Sequence, residues 1–144
     1  MRVYADSSFL VSCYLVDANT PRAKAFLSEH HGPLPFTALH ELEVRNALRL
    51  GVFRRVITDD QAKAAAAAID ADLRDGRLVR MTVKWPDAFR ATLKLSGQHA
   101  AKTGTRSLDI LHIASAKALR MKELATFDSR QLALAAAAGL TAAV

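Results

Sequence analysis

KELATFDSRQLALAAAAGL, residues 122–140, runs from an apolar segment through Asp128 into an alanine-rich one. Leu124 to Phe127 has the length and apolar content of a buried strand, and the residues after Ser129 have the propensity of a helix. The charge at the junction has a plain explanation, since Asp and Ser are common helix caps. The same order recurs near the N-terminus. MRVYADSSFLVSCYLV places Asp6 after a short apolar run and before two serines and a helical pattern. In open parallel sheets ligands bind beyond the carboxyl ends of the strands, so two strands are expected to bring Asp6 and Asp128 to one sheet edge.

Between these ends, strand and helix signals alternate. Arg2 to Ala5 reads as a strand and residues 8–16 as a helix. NTPRAKAFLSEHHG then supplies Thr20 as a helix cap, Pro21 at the first helical position and Gly32 as a stop. PLPFTA reads as a second strand before the helical LHELEVRNALRLG. Residues 59–75 read as an alanine-rich helix and RLVRMTV as a third strand. A helix over 86–102, a loop at Gly104, a helix over 108–120, the strand 123–127, a last helix and a short strand within 140–144 follow. Connections of this length suit crossovers between parallel strands, so the expected class is α/β with a mainly parallel sheet between helices. No repeat and no linker rich in Pro, Gly or Ser divides the chain, so one domain over residues 1–144 is expected.

At 144 residues the chain is long enough to bury roughly two thirds of its unfolded surface. Cys13 is the only cysteine, which excludes an internal disulfide framework, favours a cytoplasmic setting and suggests a small core residue. No run approaches the roughly 20 apolar residues of a membrane span, and no signal-peptide pattern opens the chain, so a soluble protein without membrane attachment is expected. The formal charge of +6, from scattered Lys and Arg, suits attraction to a polyanion.

Two more acids stand out on helices. On the helix that begins at Leu39, Leu39, Glu43, Asn46 and Leu50 share one stripe, and Glu41, Arg45 and Arg49 another. Glu41 can pair with Arg45 on the surface. Glu43 has no opposite charge three or four positions away, so it is expected to need a partner or a cation. In SLDILHIASAKAL, apolar almost all round, Asp109 sits in the first turn behind Ser107 as a candidate cap. His112, one turn on, reads as a packed, hydrogen-bonded core histidine more readily than as a ligand. Four carboxylates near one edge would repel one another, so at least one is expected to titrate high, and a compensating positive charge is needed. An all-oxygen site suits Mg²⁺ or Mn²⁺, where zinc would call for His and Cys.

The order VYADSS, ELEVRNAL, RSLDILHIASA, LATFDSRQ resembles the PIN-domain nucleases, and among them the VapC-type toxins of bacterial toxin–antitoxin pairs, over essentially the whole chain. The resemblance implies a three-layer α/β/α sandwich and metal-dependent endoribonuclease activity, with Asp6, Glu43, Asp109 and Asp128 as the catalytic and Mg²⁺-binding quartet. It implies Ser8 and Thr126 as small hydroxyl residues at the substrate, frequent homodimers, and a cognate acidic antitoxin as partner. A housekeeping RNA-processing nuclease and a catalytically silent scaffold stand as alternatives within the resemblance. A receiver domain would need adjacent acids after an early strand, and a haloacid-dehalogenase-type phosphatase would need Asp-x-Asp where this chain has Asp6-Ser7-Ser8.

Overall fold

In the computed structural model, which describes Met1–Val144, the elements run β1 (Val3–Ala5), α1 (Ser7–Tyr14), α2 (Thr20–Glu29), β2 (Leu34–Phe36), α3 (Ala38–Phe53), α4 (Asp59–Arg74) and β3 (Leu78–Arg80). They continue with α5 (Trp85–Leu95), a π-helical turn (Ser96–Ala100), α6 (Ala101–Thr103), α7 (Ser107–Ala118), β4 (Glu123–Ala125), α8 (Ser129–Ala137) and β5 (Thr141–Ala142). Two units divide this order, one of Met1–Asp6 with Thr82–Val144, the other of Ser7–Met81. No helix is long and apolar enough to cross a membrane.

In the first unit β4 pairs in parallel with β1 on one side and β5 on the other, with Ala5 opposite Ala125 and Leu124 opposite Ala142. The ladder runs one residue past β1, where the Asp6 N–H donates to the Ala125 carbonyl at 3.0 Å. Asp6 is thus fixed by the sheet at the carboxyl end of its strand. Tyr4, Ile110, Ile113, Leu124 and Leu134 fill the core. On α7 every residue from Ile110 to Ala116 is buried, as its nearly continuous apolar sequence requires. The expected helix over 86–102 is interrupted by the π turn, and Gly104 ends α6 in the left-handed conformation, φ 67°, that favours glycine. Ser107 does not cap α7. Arg106 holds the cap position without a side-chain capping bond, and Ser107 lies in the first turn.

In the second unit β2 and β3 pair in parallel, Leu34 opposite Leu78 and Phe36 opposite Arg80. The third strand is shorter than the expected 77–83, because β2 ends at Phe36, whose carbonyl accepts the Met81 N–H and leaves no further partner strand. Capping boxes start α3, from Thr37 with His40, and α4, from Thr58 with Gln61. Thr20 opens α2 without capping it. Its hydroxyl donates to the Leu15 carbonyl at 2.9 Å and accepts the Asp17 N–H at 2.8 Å, closing the turn before the helix. Cys13 is half-buried where a core position was expected. Burial, with the charges of Asp17 and Asp72, pushes its thiol up to about 12, so it stays protonated and unreactive.

Candidate active site

The first unit carries Asp6, Asp109 and Asp128, and one run of hydrogen bonds connects them. Asp6 is 3% exposed, and its Oδ2 accepts the Thr126 hydroxyl at 2.9 Å. A buried carboxylate requires such a donor, and a bond of this kind contributes about 1.5–3 kcal/mol. The Thr126 oxygen in turn accepts the Asp128 N–H at 3.2 Å. Asp128 caps α8, its Oδ1 accepting the N–H groups of Arg130 at 2.8 Å and Gln131 at 3.4 Å. From the same turn Gln131, fully buried, donates from Nε2 to the Asp109 carbonyl at 3.1 Å. Strand end, helix cap and the first turn of α7 are thereby tied together, and the plain capping role of Asp128 is part of the arrangement.

Two arginines complete the unit's charge. Arg106 Nε donates to Asp109 Oδ2 at 3.0 Å, and Arg130 contacts both oxygens of Asp128, at 3.3 and 3.2 Å. The expected raised carboxyl does not occur at Asp128. The Arg130 guanidinium, helped by the backbone N–H groups at the cap, outweighs partial burial and holds Asp128 below the usual aspartate range. Positive charge from the chain itself supplies here what the acids alone lack.

Glu43 belongs to the second unit. The buried stripe of α3 is His40, Val44, Leu48 and Gly51, so the stripe of Glu43 runs along the edge of the core, from buried Leu39 to Leu50 at 37% exposure. The partner it needs is Ser7, whose hydroxyl donates to Glu43 Oε1 at 3.0 Å. Ser7 directly follows Asp6 in the sequence. Ser8 is exposed. Thr126 is fully buried, and its hydroxyl bonds both the Asp6 carboxylate and the Asp128 N–H. Glu41 accepts hydrogen bonds from Arg45 and Arg80, the surface pairing its spacing suggested. His112 is a core residue, with Nδ1 2.9 Å from the Tyr4 hydroxyl.

Neither unit by itself holds three His, Cys, Asp or Glu side chains placed around one metal ion. The acids concerned offer oxygen donors held by hydroxyl and amide groups, a chemistry that fits a hard divalent cation and does not fit zinc.

The PIN domain model matches residues 3–137. The chain belongs to the PIN domain family. Among solved structures this PIN domain is similar to VapC20 of Mycobacterium tuberculosis, a toxin that cleaves the sarcin-ricin loop, at 17% identity over 96% of each chain and a TM-score of 0.70. It is similar to VapBC2 of Rickettsia felis, bound there to a promoter DNA fragment, at 12% identity, 99% of this chain and 97% of that one, TM-score 0.65. FitAcB of Neisseria gonorrhoeae matches at 14% identity over 97% and 95%, TM-score 0.64. Among curated proteins no sequence matches it. The likenesses establish the PIN-like α/β fold.

Sequence reasoning passed over Gln131, Ser7, Arg106 and Arg130. Gln131 did leave a signal, as the one amide in an alanine-leucine helix, three residues after the capping Asp128.

Proposed function

We propose that this PIN domain is a Mg²⁺-dependent endoribonuclease, working as a single domain over residues 1–144 and serving as the toxin of a toxin–antitoxin pair. The observation that carries the reading is the bonded run from Asp6 through Thr126, Asp128 and Gln131 to Asp109, in a chain of this family. Asp6, Glu43, Asp109 and Asp128 hold the ion, with Mn²⁺ able to replace Mg²⁺. Such an ion, when bound, lowers the pKa of water and stabilises the charge that develops on a phosphodiester.

The chain's own residues do the rest. Thr126 and Ser7 each donate to one oxygen of Asp6 and Glu43, which fixes those carboxylates in orientation. Ser8, exposed in the first turn of α1, is the substrate-contacting hydroxyl in this reading. The excess of positive charge, +6, draws a polyanion toward an acidic site. The likeness to a sarcin-ricin loop cleaving toxin supports RNA as substrate, and that to FitAcB and VapBC2 supports an antitoxin as partner; the +6 charge of the chain would suit an acidic one. Phe89 and Leu93, one turn apart on α5 and 56% and 73% exposed, suit a homodimer contact.

The test is incubation of the purified chain with RNA in Mg²⁺, beside Asp6→Asn. Cleavage by the unmodified chain alone supports the reading. Equal cleavage by both would remove it, and no cleavage by either would favour a silent scaffold.

A further inference from the structure

Arg106 and Arg130 differ from Arg90 of the same unit. Arg90 pairs with an acid that is itself at the surface, Asp87 at 60% exposure. Arg106 and Arg130 are 70% and 51% exposed, but the carboxylates they cover, on Asp109 and Asp128, are only 18% and 22% exposed. Each guanidinium is thus far more exposed than the acid it contacts, Arg106 through Nε on one oxygen of Asp109 and Arg130 through two nitrogens on both oxygens of Asp128. The two are also mounted together. Thr105, adjacent to Arg106, donates its hydroxyl to the Arg130 carbonyl at 3.1 Å, and Gly104 brings its Cα close to the Arg130 side chain, where an added Cβ would meet Cδ at 3.8 Å. The segment before α7 and the start of α8 thus present both arginines from one bonded platform.

A divalent cation on Asp109 and Asp128 would meet these guanidiniums as like charges and would compete for the same oxygens. The pairs are exposed enough to exchange, since ion pairs of this kind contribute no more than about 1 kcal/mol. A released guanidinium at the rim has a fork that matches phosphate. From this geometry we infer that Arg106 and Arg130 are phosphate-binding residues for the RNA backbone, held in reserve on Asp109 and Asp128 until the metal ion displaces them. The inference rests on the metal-dependent reading above. It makes metal and RNA binding mutually favourable, because each removes an obstacle to the other.

Two measurements test it without reference to turnover. Mg²⁺ titrated calorimetrically into the RNA-free protein should bind roughly two- to fivefold tighter to Arg106→Ala and to Arg130→Ala, the factor equivalent to losing an exposed competing pair. Arg90→Ala, which covers no recessed acid, should bind as the unmodified chain does. A labelled single-stranded RNA oligonucleotide, in Ca²⁺, should then lose about 0.7 from its slope of log affinity against log salt for each arginine removed, the value of one phosphate contact. Unchanged Mg²⁺ affinity in both variants would overturn the reserve role. An unchanged salt slope would overturn the phosphate role. Absence of any Mg²⁺ binding by the unmodified chain would overturn the metal reading itself, and this inference with it, an outcome distinct from the other two.

Discussion

Two groups of acids and arginines in this chain are built on opposite plans. In the second unit Glu41 accepts from Arg45 and Arg80, and Arg45 reaches Asp70 at 2.6 Å, a lattice with equal numbers of either sign. Its outer members lie on the surface, Arg80 at 63% and Asp70 at 48% exposure, with Glu41 and Arg45 half-buried between them, and every carboxylate is answered by a guanidinium. In the first unit Asp6 accepts from the buried Thr126 hydroxyl, and Asp128 from backbone N–H groups at a helix cap as well as from Arg130, while Asp109 pairs with Arg106 and its backbone carbonyl accepts the Gln131 amide. Orientation there comes in part from buried donors that carry no charge, Thr126 and Gln131. Closeness of acids to arginines marks both regions. The buried neutral scaffold marks only one.

The sharpest way to break this contrast is to neutralise one acid from each plan. Glu43→Gln, at the acid that accepts from Ser7, is expected to reduce RNA cleavage more than about 100-fold, beyond the loss typical of a supporting partner. Glu41→Gln should leave it within about threefold, since exposed pairs contribute little. Reversal of that order in a cleavage assay would place the functional acid on the wrong side of α3. Next in size is Thr126→Val, which strips the donor from buried Asp6 and should lower unfolding free energy by about 1.5–3 kcal/mol in a urea titration. An unchanged midpoint would mean that Asp6 does not depend on its scaffold.

Gln131 refines the same point. Its Oε1 is buried without a partner, so Gln131→Leu loses the bond to Asp109 but also an unsatisfied acceptor, and should cost only about 1 kcal/mol. Gln131→Ala adds a cavity and should cost more. Equal losses for the two variants would show that volume contributes nothing at this position. The smallest effect belongs to the surface lattice. Burial raises the Glu41 pKa, but hydrogen bonds and charge from Arg45 and Arg80 outweigh it and hold the carboxyl below 4.5. A depressed folded pKa contributes stability above the unfolded value and loses it as pH falls through the folded one. The stability advantage of the unmodified chain over Glu41→Gln is therefore present at neutral pH and should decline as pH falls through the lowered folded value, to be lost once Glu41 is protonated in the folded chain. An advantage that persists at lower pH would exclude the arginine pairs as its source.

What the sequence made legible follows from which interactions are local. The strand end at Asp6, the capping of α8 by Asp128, the buried run of α7 and the Glu41–Arg45 pair all depend on neighbours within a turn or two, although β4 ends at Ala125, short of the expected 123–127. The stripe of α3 was harder. The 3.6-residue period groups Leu39 with Glu43, but only the packed unit reveals that the core lies one stripe over, along His40, Val44 and Leu48. Ser7 with Glu43, Thr126 with Asp6 and Gln131 with Asp109 join residues 36, 120 and 22 positions apart. No periodicity carries such pairs. They arise from the way each unit folds its chain back on itself.

RNA cleavage by metal-stripped protein, titrated with Mg²⁺, tests the central claim most directly. The account predicts no cleavage in chelator, recovery with Mg²⁺ or Mn²⁺, and no recovery at any concentration for Asp6→Asn. Cleavage that persists in chelator and survives Asp6→Asn, yet falls when His112 is changed to Gln, would contradict it and point to metal-free acid–base chemistry.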